Sequence, residues 1–336
     1  METVSAARTN RLGDLRSSSV RSIAIGSLAA LLSVAIFATE ADSSALPNAT
    51  LQVGGGEIKV EFAEGKFDLS TQALLDHIER AARAVSTYYG RFPACQYRLL
   101  IVPISGRGGV LTGTTWGFGG VHSRILVGEH TTVAQLRDDW MITHEMVHTA
   151  FPNMPDENHW IEEGIATYVE PLARSWVGNY PPSRVWVDLV SGLPKGMPAV
   201  GDQGLDHTHT WGRTYWGGAM FCTLADVEIR RRTHNKCGLI DALRAILEAS
   251  GGIEADWSPE RAFKVGDEGV GVPVLEDLYG QMKAKPTSPD LAALWQRLGV
   301  RTGSGVMFDE SAPESTVRRA ISSRPFDGAG PCGSRN

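Results

Sequence analysis

One string constrains this chain more than any other: Thr143-His144-Glu145-Met146-Val147-His148, two histidines four apart with a glutamate between them. That spacing asks for a helix, because residues i and i+4 share a helical face. On such a face His144 and His148 can bring two imidazole nitrogens to one metal ion. Glu145, one step round, can then reach a water on that ion. Zinc lowers the pKa of its bound water towards about 7, so a carboxylate can take the proton at neutral pH. Two histidines and one further carboxylate would leave the fourth zinc position open. Met141, Ile142 and Val147 supply the apolar neighbours of a packed helix rather than a surface one.

The third ligand has to come from elsewhere. Downstream runs Trp160-Ile161-Glu162-Glu163-Gly164-Ile165-Ala166-Thr167-Tyr168, and helical periodicity does not separate Glu162 from Glu163. His159 is a further zinc-competent group beside them. Taken together, H-E-x-x-H followed by W-x-x-E-G-x-A-x-Y resembles the gluzincin zinc metallopeptidases (peptidase MA-like), particularly the aminopeptidase-N-like and glycyl-aminopeptidase-like families. The resemblance implies that Glu163, the glutamate before the glycine, is the third ligand of one Zn2+ ion. It also implies a short connection, 152–158, between the two helices. Gly164, without a side chain, would let two helices approach closely.

Three further segments extend the resemblance over roughly residues 115–250. Tyr215-Trp216-Gly217-Gly218-Ala219-Met220 is similar to the families' Y-x-x-G segment, which implies that Tyr215 hydrogen-bonds the tetrahedral intermediate. A phenol donor at the developing oxyanion would complement zinc acting on the same oxygen. Leu224 to Thr233 is also similar to the glycyl-aminopeptidase-like family. Gly119-Gly120-Val121-His122-Ser123 falls where the families place an edge strand that takes substrate backbone by strand addition, which implies substrate contacts at Gly119 and Gly120. In aminopeptidase-N-like enzymes that strand carries a glutamate gripping the free α-amine, and His122 stands in its place here. His207 and His209 read as loop residues, and His77 and His234 as helix-surface residues.

Periodicity predicts a strand region over 51–63, a helix over 69–89 stopped by Gly90, a strand over 97–103, a glycine-rich loop over 104–120 and a strand over 121–127. Thr131 or Thr132 can cap one helix running to Phe151 before Pro152. Helices follow over 159–172, 211–232, 238–250, 258–264, 273–283 and 289–298. Residues 173–209 have weak periodicity. Strands early and helices late argue α+β, a small mixed sheet beside a mainly helical half. With the resemblance, the expected architecture is a zincin (thermolysin-like) catalytic domain spanning 46–323, its sheet part about 46–130 and its helical part about 131–310, with a tail over 324–336. Specificity is expected from the walls built by 104–118 and 173–209.

Before that domain, Arg8, Arg11, Arg16 and Arg21 precede the apolar stretch Ile23 to Ala38. Its sixteen residues are fewer than the roughly 20 a membrane span needs, so residues 1–45 read as an export signal, or as an N-terminal anchor if uncleaved. The chain is then periplasmic, extracellular or N-terminally anchored. Export would place Cys95, Cys222, Cys237 and Cys332 in an oxidising compartment, where an even count permits two disulfides in three pairings. No CxxC pair offers a cysteine zinc site. A net charge of −6 carries no concentration of Lys and Arg suited to nucleic acid. The longest basic run, Arg230-Arg231-Arg232, reads as the solvated end of a helix.

These observations converge on zinc-dependent hydrolysis of peptide bonds in a peptide or protein substrate. His144, His148 and Glu163 are the metal ligands, Glu145 the general base and Tyr215 the oxyanion donor. The alternatives are an aminopeptidase rather than an endopeptidase, and a non-catalytic zinc-binding envelope or partner-binding protein. A pure binding site needs neither Glu145 nor Tyr215.

Overall fold

The computed structural model describes residues 47–303 and 305–324. The apolar stretch 23–38 and Cys332 lie outside the described residues. Among the described residues no helix is long and apolar enough to cross a membrane.

The strand region expected over 51–63 is a hairpin, β1 (Ala49–Val53) and β2 (Gly56–Phe62), turning at Gly54 and Gly55, both at positive φ. Helix α1 (Thr71–Tyr89) starts where Ser70 accepts from the Ala73 amide and stops at Gly90 in the left-handed conformation. Its Leu74, Ile78, Ala81, Ala82 and Val85 are all buried. Strand β3 (Gln96–Ile104) follows. Next comes a departure from expectation. Within the stretch read as a glycine-rich loop, Val110–Trp116 forms strand β4, which pairs antiparallel with β5 (His122–Gly128). The sheet order is β1-β2-β3-β5-β4, with β2, β3 and β5 parallel and an antiparallel strand at each margin. The edge strand on the site's side is therefore β4. Gly119 and Gly120 do not lie on it. They form the turn between β4 and β5, both at positive φ, and β5 is an interior strand.

The helix expected from Thr132 to Phe151 is two helices. Thr132 caps α2 (Val133–Asp138) in a capping box with Gln135. Asp139 then turns extended, and its carboxylate accepts from the Met141 and Ile142 amides (2.9 and 3.4 Å) to start α3 (Met141–His148). Nε2 of His77 lies 2.8 Å from the same carboxylate. His77 is thus a buried residue of α1 rather than a surface one, because it partners the group that starts the motif helix.

After a 3-10 turn at Asp156–Asn158 comes α4 (His159–Trp176). The segment 173–209 is more regular than its sequence suggests, since it holds α5 (Pro182–Gly192) and a 3-10 turn at Leu193–Gly196. A π-helical turn, Gly212–Gly217, leads without a break into α6 (Gly218–Arg232). Arg230 is buried against Asp226 (2.8 Å), so the basic run is only partly solvated; Arg231 and Arg232 pair with Glu228. The chain continues through α7 (Leu239–Ser250), α8 (Pro259–Val270), α9 (Leu275–Met282), α10 (Leu291–Leu298), the small hairpin β6 (Val300–Thr302) and β7 (Val306–Phe308), and α11 (Ser315–Ser322).

The two-disulfide expectation fails. Cys222 is a free thiol inside α6, where burial pushes its pKa far up, and Cys95 is free and exposed at the foot of β3. A helix core and an exposed strand end offer these two no common ground.

Helix α4 packs on α3, α1 and α6. The tightest of these crossings is with α6: a Cβ on Gly164 would sit 2.3 Å from the Gly218 Cα, and a Cβ on Gly218 would sit 2.3 Å from the Trp160 carbonyl oxygen. The close approach foreseen for Gly164 therefore faces the Tyr215 helix rather than the motif helix. A methyl group has no space there without moving a helix. Gly164→Ala is expected to lower unfolding stability by about 1–3 kcal/mol or more through overpacking. Chemical denaturation of the metal-free protein checks this, and an unchanged midpoint would refute the crossing.

Candidate metal centre

Helix α3 lies between the sheet and α4, so its motif face is buried. His144 and Glu145 are buried and His148 is nearly so. Glu163, in the second turn of α4, comes in from the side. One donor atom from each of His144, His148 and Glu163 lies within 4.8 Å of the other two. His144 Nε2 is 2.9 Å from Glu163 Oε2, and His148 Nε2 is 3.7 Å from the same oxygen. Two imidazoles and one carboxylate converging in a buried pocket suit zinc's preference for nitrogen and oxygen donors.

The electrostatics suit a cation. Burial alone would raise the Glu163 pKa, but the imidazoles of His148, His144 and His159 outweigh it and hold the carboxyl well below its usual range. Burial brings His148 down to about 4, which keeps its ring in the neutral form that ligates metals. Burial opposes protonation of His144 too, but its contact with Glu163 wins and raises it. For Glu145 burial dominates and raises the carboxyl.

His159 does not join the three donors. It binds the other oxygen of the Glu163 carboxylate instead: Nε2 lies 3.0 Å from Glu163 Oε1, and Nδ1 lies 3.3 Å from Glu162 Oε2. Those two contacts, Glu162 first, raise His159 to about 10. Glu163 is thus held at both ends, Oε2 towards the histidine pair and Oε1 by His159, while Glu162 faces His159. A hydrogen bond to the free end of a ligating carboxylate fixes its orientation.

Tyr215 stands on the π turn with its ring stacked on His144 at 6.0 Å between centroids. Burial first, then the charges of Glu163 and Glu145, push its phenol pKa far up, so it remains a donor at any working pH. A single π turn inside an α-helix shifts the register of the residues that follow. Here it lets Tyr215 reach the site while Gly218 keeps its contact with α4. Trp211 stacks on the outer face of Tyr215 at 5.8 Å and Trp140 meets His144 edge-on at 5.2 Å; both are exposed.

Two participants had no readable sign in the sequence. Gly113 of β4 lies over Glu145, where a Cβ would come within 2.4 Å of the glutamate Cγ. Two residues on, the Thr115 hydroxyl is 2.7 Å from Glu145 Oε2. Each belongs to a strand that a glycine-rich pattern disguises. The weaker candidates lie apart from the donor set. His122 stacks on Trp116 at 5.2 Å and its Nδ1 is 2.7 Å from the Gly120 carbonyl oxygen. His207 and His209 are exposed in the loop before the π turn. Gly119 and Gly120 have open space around them. In a second group, Asp68, Glu129 and His130, the first and last are exposed; Glu129 pairs with Lys66 at 3.1 Å and His130 Nδ1 is 2.8 Å from Asp68.

Among solved structures the chain is similar to an aminopeptidase N family protein from Idiomarina loihiensis, with a TM-score of 0.56 and 13% identity over 76% of this chain and 49% of that one. An M1 zinc metallopeptidase from Deinococcus radiodurans aligns with a TM-score of 0.47 and 15% identity, over 73% of this chain and 52% of that one. The chain spans about half the length of these structures. No protein-family profile and no curated protein matches it. The first likeness is one of fold, and it agrees with the α+β architecture expected from the sequence.

The donor set has a direct consequence for metal content. After dialysis against zinc and then buffer, the protein should retain one ion per chain by elemental analysis. Glu163→Ala and His148→Ala should lose it, Glu162→Ala should keep it, and His159→Ala should weaken affinity by roughly 10- to 100-fold. Loss in Glu162→Ala with retention in Glu163→Ala would overturn the assignment.

Proposed function

We propose that the chain is a zinc-dependent peptidase that cleaves within peptides rather than from a free N-terminus. The observation that carries the hydrolytic reading is the convergence of His144, His148 and Glu163 with Glu145 beside them and Tyr215 across from them. When bound, zinc supplies a Lewis acid that polarises the substrate carbonyl and acidifies water.

The chain's own groups do the rest. Glu145 takes the proton of the attacking water and passes it to the leaving nitrogen, a role that fits a carboxyl raised by burial. Tyr215, kept protonated, donates to the carbonyl oxygen as negative charge grows there. The outer edge of β4 leaves backbone groups available to an extended peptide, which would be laid alongside Glu145. Trp140 and Trp211 offer apolar surface on either side of His144 and Tyr215.

The preference for internal bonds rests on β4. Its sequence, VLTGTTW, contains no carboxylate to hold an α-ammonium, and His122, which simple alignment puts at that position, lies on β5 against Trp116. A non-catalytic zinc protein would have no use for Glu145 held over Gly113 by a hydroxyl, or for a phenol stacked on a ligand.

Glu145→Gln should bind zinc like the wild type and lose hydrolysis of a mixed peptide library by at least about 10³-fold, within the span expected for removal of a general base. Tyr215→Phe should lower kcat by about 10²- to 10³-fold with little change in KM. N-acetylated and free-amine versions of one cleaved peptide should be hydrolysed at similar rates. An acetyl group that abolished cleavage would establish an aminopeptidase. Bound zinc with no cleavage of any library member would establish the binding protein.

A further inference from the structure

Glu145 stands at the end of a chain of hydroxyl groups that crosses the sheet. Thr115 on β4 and Ser123 on β5 are directly opposite in the antiparallel register, with their oxygens 2.6 Å apart. The Tyr97 hydroxyl on β3 is 2.6 Å from the Ser123 oxygen. At the other end the Thr115 oxygen is 2.7 Å from Glu145 Oε2 and 3.0 Å from the Glu145 backbone carbonyl oxygen. Tyr97 and Ser123 are each 1% exposed, Glu145 is 6% exposed and Thr115 between them is half-buried.

Counting protons fixes the direction of the chain. Each hydroxyl has one proton to give. A carboxylate only accepts, so Thr115 donates to Glu145. Thr115 then has nothing left for Ser123, so Ser123 donates to Thr115. By the same count Tyr97 donates to Ser123. Three protons thus point one way and end on Oε2 of Glu145. Gly113, on the same face of β4 as Thr115, leaves the space in which Cγ and Oε1 of that glutamate lie.

We propose that Thr115, backed by Ser123 and Tyr97, is the positioning device for the general base. It ties one oxygen of Glu145 to the edge strand and leaves the other, Oε1, for the substrate water. This deepens the peptidase reading and rests on it. The same strand that would accept the peptide backbone also fixes the base, so peptide and base share one reference frame. Neither Ser123 nor Tyr97 touches the reacting atoms; both act through Thr115, and Thr115 acts through Glu145.

The test uses the zinc-loaded protein and one library-selected peptide. Thr115→Val, nearly the same shape without the donor, should lower kcat on the order of 10- to 100-fold, with KM within about threefold and zinc content unchanged. Thr115→Ser should restore kcat to within about threefold of wild type. Ser123→Ala should cost less than Thr115→Val, and the double variant should be no slower than Thr115→Val alone, because residues acting as one unit are not additive. A fall confined to KM, or additive losses in the double variant, would overturn the proposal. A second readout is independent of catalysis. In the metal-free protein, thermal unfolding of Thr115→Val, Glu145→Gln and the double variant should show coupling between the two sites; strict additivity would overturn the proposal even if the wild type cleaves no peptide. A wild type without activity but with that coupling would refute the peptidase reading and leave the tie between Thr115 and Glu145 standing.

Discussion

The backbone contact between Gly164 and Gly218 is the constraint from which the rest of the site follows. Two helices can touch at their backbones only where neither carries a side chain, and α4 and α6 do so at this one crossing. Glu163 precedes the first glycine and Tyr215 lies three residues before the second. Fixing the crossing therefore fixes the Glu163 carboxylate and the Tyr215 phenol relative to each other. The motif helix α3 needs only to lie against both, and its ring contacts with Tyr215 show that it does. The π turn belongs to the same solution. An α-helical path through Gly212–Gly217 would hold Tyr215 in one register with Gly218, whereas the wider turn separates the demands of the phenol from those of the crossing.

Around that frame the buried charges are arranged in pairs. Asp139 is matched by His77 and by the first amides of α3. Glu170 is matched by Arg174 at 2.7 Å, and burial still brings its carboxyl up to about 7. Glu163 has imidazoles on both of its oxygens. Among the described residues Glu145 has no such contact and is held by a hydroxyl instead. Buried carboxylates without partners are costly. A cation at the three donors would add to what these imidazoles supply to Glu163. Asp139 also explains a division of labour along 132–148: α2 is capped by local chemistry, Thr132 with Gln135, whereas α3 is started by a side chain that has to be held from another helix.

How much of this was legible depended on whether the determining contact was local. The i, i+4 histidines placed themselves on one helix face because that signal sits within a few residues, whereas Glu163 was separated from Glu162 only by the family resemblance. Ser70 and Gly90 bounded α1 for the same reason. The break at Asp139 was not readable, since an aspartate in a helical pattern becomes a helix start only when His77, sixty-two residues away, pairs with it. Strand β4 was hidden because the property that makes it useful, a glycine under Glu145 and a threonine facing inwards among small polar neighbours, is the composition of a loop. Helix α5 was hidden by the prolines and glycines that flank it. The free thiols of Cys95 and Cys222 show the converse case: an even cysteine count says nothing about which side of the fold each one reaches.

Strand β4 meets two opposed requirements. An open sheet edge invites pairing with any extended chain, including another copy of the same protein. A long apolar edge would make that hazard severe. Here the strand is seven residues long, its register with β5 shifts between Val110 and Thr112, and its middle is glycine and threonine. These features weaken it as a template for aggregation while leaving backbone donors and acceptors beside the metal centre. The inward side chains could not be chosen freely either, because Gly113 must leave room for Glu145 and Thr115 must donate to it. Both requirements select small residues, and this is why β4, the strand beside Glu145, carries a weak strand signal.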